Sequence, residues 1–142
     1  MTEIITKNER ETKIVARLFA QELIKKPLKT KRAVIIGLEG ELGSGKTRFV
    51  QGFAKGLGIR QRLTSPTFVL MKKYRNLYHI DCYRLHKPKD LIDLDFEEIL
   101  SNPKNIVLIE WAEKVKKILP EKNNIWIKFK VIDKNKRKIN IL

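Results

Sequence analysis

Cysteine is nearly absent from this chain, with one residue, Cys82, and histidine is almost as rare, with two. A lone thiol cannot close an internal disulfide and two imidazoles make a poor metal cluster, so a reducing cytoplasm is the expected compartment. Long apolar runs are missing too. Nothing approaches the ~20 apolar residues of a membrane span, and the polar stretch from Thr6 to Lys13 leaves no room for a secretory apolar core. There is no internal repeat and no low-complexity segment. Acid is the last shortage: 16 Asp and Glu stand against 31 Lys and Arg, a formal charge of +15. That excess reads either as attraction to RNA or an acidic partner surface, or as lysines scattered over solvated faces. The bases thicken at Lys128 to Lys130 and Asp133 to Lys138, while Asp90, Asp93, Asp95, Glu97 and Glu98 form an acidic block without an intervening base. Such an asymmetry orients a molecule in the field of a polyanion.

What is present is the composition of a soluble globular protein, 42% hydrophobic and 33% charged, and 142 residues suit one domain spanning 1–142. Its most informative stretch is Gly40 to Thr47, G-E-L-G-S-G-K-T, directly after the apolar run Ala33 to Leu38. A glycine, four residues, a second glycine and Lys-Thr form a phosphate-binding loop pattern. Gly40, Gly43 and Gly45 are expected to take positive φ angles and to let backbone approach an anion. The backbone N–H groups around Ser44 and the N-terminus of the next helix would cradle a phosphate. Lys46 would reach the β- and γ-phosphates and the Thr47 hydroxyl would ligate Mg²⁺. The required context is there, because Phe49, Val50, Phe53 and Leu57 recur at helical spacing and Gly58 supplies a stop.

Elsewhere the pattern predicts an edge strand over Thr2 to Thr6 and a helix from Glu9 to Lys25, capped by Asn8 or Thr6 and ended by Pro27. Phe68 to Tyr74 and Leu77 to Ile80 read as an antiparallel hairpin. Short helices follow from Pro88 to Leu94 and Phe96 to Leu100. Asn105 to Trp111 is a strand buried on both faces, Ala112 to Leu119 a helix, and Ile125 to Leu142 a terminal hairpin. Strands alternating with helices around a phosphate loop imply a P-loop NTPase-like three-layer α/β/α domain, its sheet mixed and mainly parallel with antiparallel hairpins.

A phosphate loop does not say what is done with the nucleotide. Glu110, at the carboxyl end of an apolar strand, is the acid expected to hold Mg²⁺ directly or through water, or to polarise the attacking water. Asp81 also ends a strand and offers a second acid near the metal. Arg84 would either steady charge on the γ-phosphate or pair with Asp81. Ser65-Pro66-Thr67 sits where a switch loop would, with two hydroxyls able to sense a γ-phosphate or metal. Trp111 is either core or a lid, and His79 and Cys82 read as structural.

The ordered set G-E-L-G-S-G-K-T, T-S-P-T-F, L-Y-H-I-D-C-Y-R-L and L-I-E-W, followed by Leu119-Pro120, resembles the TsaE (formerly YjeE) family over nearly the whole chain. The resemblance implies an ATPase needed for threonylcarbamoyladenosine at position 37 of tRNAs reading codons that start with A. It implies action with the TsaD and TsaB proteins and with tRNA only through that complex, TsaD carrying out the carbamoyl transfer. By the same resemblance, Gly43 to Arg48 with Gly40 form the phosphate loop and Thr47 and Glu110 match Mg²⁺ positions. Asp81 matches an essential second acid, Ser65 to Thr67 a switch-like loop, and Trp111 a tryptophan beside the metal ligand. Thr6 to Glu9 and Arg137 would lie by the adenine. The chain departs from the family's usual Asp with Glu41, and from its frequent small hydroxyl residue with Arg48. Two rivals stand beside this reading. A small-molecule or nucleotide kinase would need an arginine-bearing lid, for which His86 to Asn102 is too short and acidic. An RNA-binding module would rest on charge alone, since no RNA-binding aromatic motif is visible.

Overall fold

A computed structural model describes residues 1–63, 70–122 and 124–142. The strands are β1 (Thr2–Thr6), β2 (Val34–Glu39), β3 (Met71–Tyr74), β4 (Leu77–Asp81), β5 (Ile106–Glu110), β6 (Asn124–Val131) and β7 (Arg137–Ile141). The helices are α1 (Glu9–Lys25), α2 (Lys46–Gly56), α3 (Lys89–Ile92) and α4 (Phe96–Ser101), with a 3₁₀ helix at Ala112–Ile118. The strands make a sheet in the order β1-β7-β6-β2-β5-β4-β3. Its centre, β6-β2-β5-β4, is parallel, and β3, β7 and β1 join antiparallel at the flanks.

Strand β2 is buried along nearly its whole length because both sheet faces are covered. Successive side chains point to opposite faces, and the split is clean. Ile36, Leu38, Leu77, Leu108 and Ile127 pack with Phe49, Phe53, Ala16 and Ala20 of α1 and α2. Ile35, Ile80, Val107 and Ile109 pack with Leu91, Phe96, Leu100 and Val115 of the short helices. The result is the expected three layers.

Helices α1 and α2 meet backbone to backbone. A Cβ on Gly52 would come 2.2 Å from the Lys13 carbonyl oxygen, and one on Gly56 2.5 Å from that of Arg17. Ala16 and Ala20, both fully buried, supply the small complement on α1. Helix α1 itself starts where the sequence signals it: Asn8 Oδ1 accepts from Glu11 N at 2.9 Å, satisfying one of the first turn's free donors.

The segment after β5 is a 3₁₀ helix instead of the α-helix expected from Ala112 to Leu119. It opens on Trp111, held left-handed at φ 58°, and ends at Leu119, which turns extended at ψ 141° as a residue before proline does.

Candidate nucleotide site

Parallel pairing sets Leu38, Glu110 and Asp81 side by side at the carboxyl ends of β2, β5 and β4. Ligands of open α/β sheets gather at this edge. The loop between β2 and α2 wraps over it, and Gly45 enters α2 left-handed at φ 102°. Gly43 is also left-handed, at φ 77°, although nothing lies within 4 Å of the Cβ position there, so its requirement is conformational. Gly40 differs from expectation. It is not among the positive-φ glycines, and it is needed for space: a Cβ would lie 2.7 Å from Ser44 Oγ and 2.8 Å from the Phe129 carbonyl oxygen.

Lys46 is buried to 5% exposure, with its ammonium folded over its own loop. Nζ donates to the carbonyl of Gly40, to that of Glu41 at 3.0 Å and to Ser44 Oγ at 3.4 Å. It also stands 4.0 Å from the centre of the Trp111 ring, a cation over a π face. Burial lowers its pKa from the ordinary lysine value, with the negative charges of Glu110, Glu113, Asp81 and Glu41 opposing that shift. The Trp111 ring lies against Tyr83, centroids 5.0 Å apart, so it belongs to the site wall.

The Thr47 hydroxyl donates to Glu110 Oε1 at 2.9 Å. Glu110 is 2% exposed, and its other oxygen, Oε2, accepts from His79 Nε2 at 2.6 Å. His79 therefore does more than fill the core. It holds the Glu110 carboxylate in one orientation by that hydrogen bond. The sequence signal was its i, i+2 relation to Asp81, which puts Leu77, His79 and Asp81 on the face toward α2. Asp81 Oδ1 accepts from Tyr83 N at 3.0 Å in place of an ion pair with Arg84. Burial raises the Asp81 pKa from the usual aspartate value; the Tyr83 hydrogen bond opposes this and the nearby Glu110 reinforces it.

Lys46, Thr47, Asp81 and Glu110 line a cavity of about 890 Å³, within the ~300–1,000 Å³ range of small-molecule and cofactor sites, whereas Gly40 and His79 stand behind its wall. Its walls include Gly43, Ser44, Gly45, Lys46, Thr47, Arg48, Asp81, Glu110, Trp111 and Arg137, while Arg84 is not among them. Arg48 lies against Glu9, Nε to Oε2 at 3.3 Å, and donates to Gln51 Oε1 at 3.2 Å. Arg137 reaches back from the β6-β7 turn to donate to the Gly43 carbonyl at 3.0 Å. Asn8 and Glu9 complete the wall near Arg137, together with Thr12, Lys134 and Asn135, which sequence reasoning did not single out. Thr12 could have been found by helix periodicity, since it follows Asn8 by one turn and faces inward. Ser65 and Thr67 lie outside the described residues.

Thr47 Oγ1, Glu110 and Asp81 are hard oxygen groups of the kind that could hold a cation such as Mg²⁺. Among the described residues no three His, Cys, Asp or Glu side chains form a metal cluster.

The profile of a family described as "Threonylcarbamoyl adenosine biosynthesis protein TsaE" matches residues 6–139. A "tRNA threonylcarbamoyladenosine biosynthesis protein TsaE" of Rickettsia felis is 39% identical over 144 residues, covering 98% of this chain and 78% of that protein. The protein of the same description from Bacillus subtilis is 38% identical over 120 residues, covering 82% of this chain and 70% of that protein. A solved structure described as "Crystal structure of Bacillus subtilus YdiB" superposes with a TM-score of 0.76 at 31% identity, covering 99% of this chain and 83% of that one.

Proposed function

From the chain's membership of the TsaE family, and hence its place in tRNA threonylcarbamoyladenosine biosynthesis, we propose that it acts there as a Mg²⁺-dependent ATPase working with TsaD and TsaB. The observation carrying this reading is the 2.9 Å bond from Thr47 to Glu110 at the mouth of the glycine loop. It brings the two groups expected to share one cation within the span of a single ion.

In the proposed reaction Lys46 and the loop amides from Gly43 to Thr47 neutralise the β- and γ-phosphates. Thr47 and Glu110 would hold Mg²⁺, Glu110 kept in line by His79, and a bound Mg²⁺ would draw off charge from the phosphate oxygens. Asp81, with one oxygen engaged by Tyr83 N, has the other available to orient water beside the γ-phosphate. Lys46 leaves the Gly40 and Glu41 carbonyls for the stronger acceptors of the phosphate. Arg48, Trp111 and Arg137 wall the rest of the nucleotide, with Asn8 and Glu9 near the base.

The test is phosphate release from ATP by the purified protein, alone and with TsaB and TsaD. Lys46→Ala and Glu110→Ala are each expected to cut turnover by at least about 100-fold while the circular dichroism spectrum is kept. Turnover on the wild-type scale in either variant would refute the assigned role. Partner stimulation is expected from the proposed work with TsaD and TsaB, and phosphate appearing in water instead of on an acceptor metabolite separates this reading from a kinase.

A further inference from the structure

Beside the nucleotide cavity, and sharing Arg48, Gln51, Arg62 and Leu63 with it, runs a second groove of about 740 Å³ between α1 and the end of α2. Six cations line it, Lys13, Arg17, Arg48, Lys55, Arg60 and Arg62, and no carboxylate does. The close approach of the two helices at Gly52 and Gly56 brings Lys13 and Arg17 to the side of α2 that bears Lys55. Among the described residues, none of the four ion pairs involves Arg17, Lys55, Arg60 or Arg62. We propose that this groove binds the phosphodiester backbone of a folded RNA directly.

Three observations favour RNA over an acidic protein surface. Protein interfaces are anchored by an apolar or aromatic centre, and this groove offers none: its apolar members Ala54, Ile59 and Leu63 are 1%, 4% and 6% exposed. Four of the six cations are arginines, whose planar fork matches phosphate oxygens. The acidic residues Asp93, Asp95, Glu97 and Glu98 lie with α3 and α4, which cover the opposite face of the sheet. The six cations of the groove therefore lie on the other face of the sheet from that acidic block. Because no aromatic side chain lines the groove, its ligand is helical backbone and not unstacked bases. The inference goes beyond the ATPase reading, and four of the cations it rests on, Lys13, Arg17, Lys55 and Arg60, lie outside the nucleotide cavity.

The test measures binding of the full chain to an unmodified tRNA transcript across a salt series. The variant carries Arg17→Gln, Lys55→Gln and Arg60→Gln, none of which lines the nucleotide cavity. The expected result is affinity lower by about tenfold or more and a log K against log salt slope smaller in magnitude by about 2 to 3. Mg²⁺-ATP binding, read from tryptophan emission, should be unchanged, which separates failure of this proposal from failure of the ATPase reading. Lys89→Gln, Lys104→Gln and Lys117→Gln, three exposed lysines outside the groove, form the control and should cost less than threefold. An equal loss in the control would overturn the proposal, as would unchanged tRNA binding by the groove variant. Polyglutamate bound as tightly as tRNA, and lost in the same proportion, would overturn it in favour of an acidic protein partner.

Discussion

The two faces of the sheet are built differently. One is covered by α1 and α2, a 17-residue and an 11-residue helix pressed together at glycine and alanine positions. The other is covered by α3, of four residues, α4, of six, and the 3₁₀ helix. The catalytic candidates are not shared between them. Asp81, His79 and Glu110 all point to the α2 face, because strand alternation gives each strand one set of residues for each side. The neighbouring Ile80, Cys82 and Ile109 face the short helices and pack there as plain core. A single strand thus serves chemistry on one side and packing on the other.

The helix pair is the most sensitive part of the molecule. Gly52→Val puts carbon within 2.2 Å of the Lys13 backbone, where no side chain can yield, and is expected to cost more than ~3 kcal/mol in urea unfolding. Near-wild-type stability would mean that α1 and α2 separate easily. Phe53→Ala, on the same face and fully buried, should cost ~3–5 kcal/mol, and Leu91→Ala on the other face ~2–4 kcal/mol. Amide exchange should run faster through α3 and α4 than through α2. His79→Ala is expected to cost ~1.5–3 kcal/mol by leaving Glu110 Oε2 without its donor, and to raise the Mg²⁺ concentration needed for half-maximal turnover. A stability loss with an unchanged Mg²⁺ requirement would make His79 a packing residue only.

Charge sharpens the contrast further. The raised Asp81 pKa means that its contribution to stability is full below the ordinary value of 3.8 and is lost as pH climbs through the raised folded value. Lys46, with its pKa lowered, contributes above 10.5 and loses that contribution as pH falls through its folded value. Near neutrality the folded protein therefore carries both costs. Asp81→Asn, which can still accept from Tyr83 N, should raise stability by up to ~1 kcal/mol at pH 7 while turnover collapses. A destabilised Asn variant would show that the carboxylate is a structural asset. The smallest effect belongs to the other face: burial pushes the Cys82 thiol up to about 12, so alkylation at pH 8 should wait on unfolding.

Much of this was legible in the chain. The edges of α1, with Asn8 as cap, the apolar run of β5 and the glycine loop were visible because capping, burial and periodicity act locally. Glu110 and Asp81 were legible as strand-end acids, and the register sets them side by side. Gly40 differs from the expected positive φ because its requirement is room beside Ser44 Oγ and the Phe129 backbone, and crowding by a strand so distant in sequence leaves no local pattern. The His79 role was hidden for the same reason: its partner is 31 residues distant, and a lone histidine in a strand usually fills core. The basic groove could not be read as one patch, because it gathers bases from α1 and α2 that look scattered along the sequence.

The bare seam at Gly52 and Gly56 has a mechanical consequence. With no side-chain cushion between the two backbones, α2 can neither roll nor slide without carrying α1 along. The glycine loop is thereby bolted to a two-helix chassis, so a shift of α2 at the loop is passed to α1 at the far side of the layer.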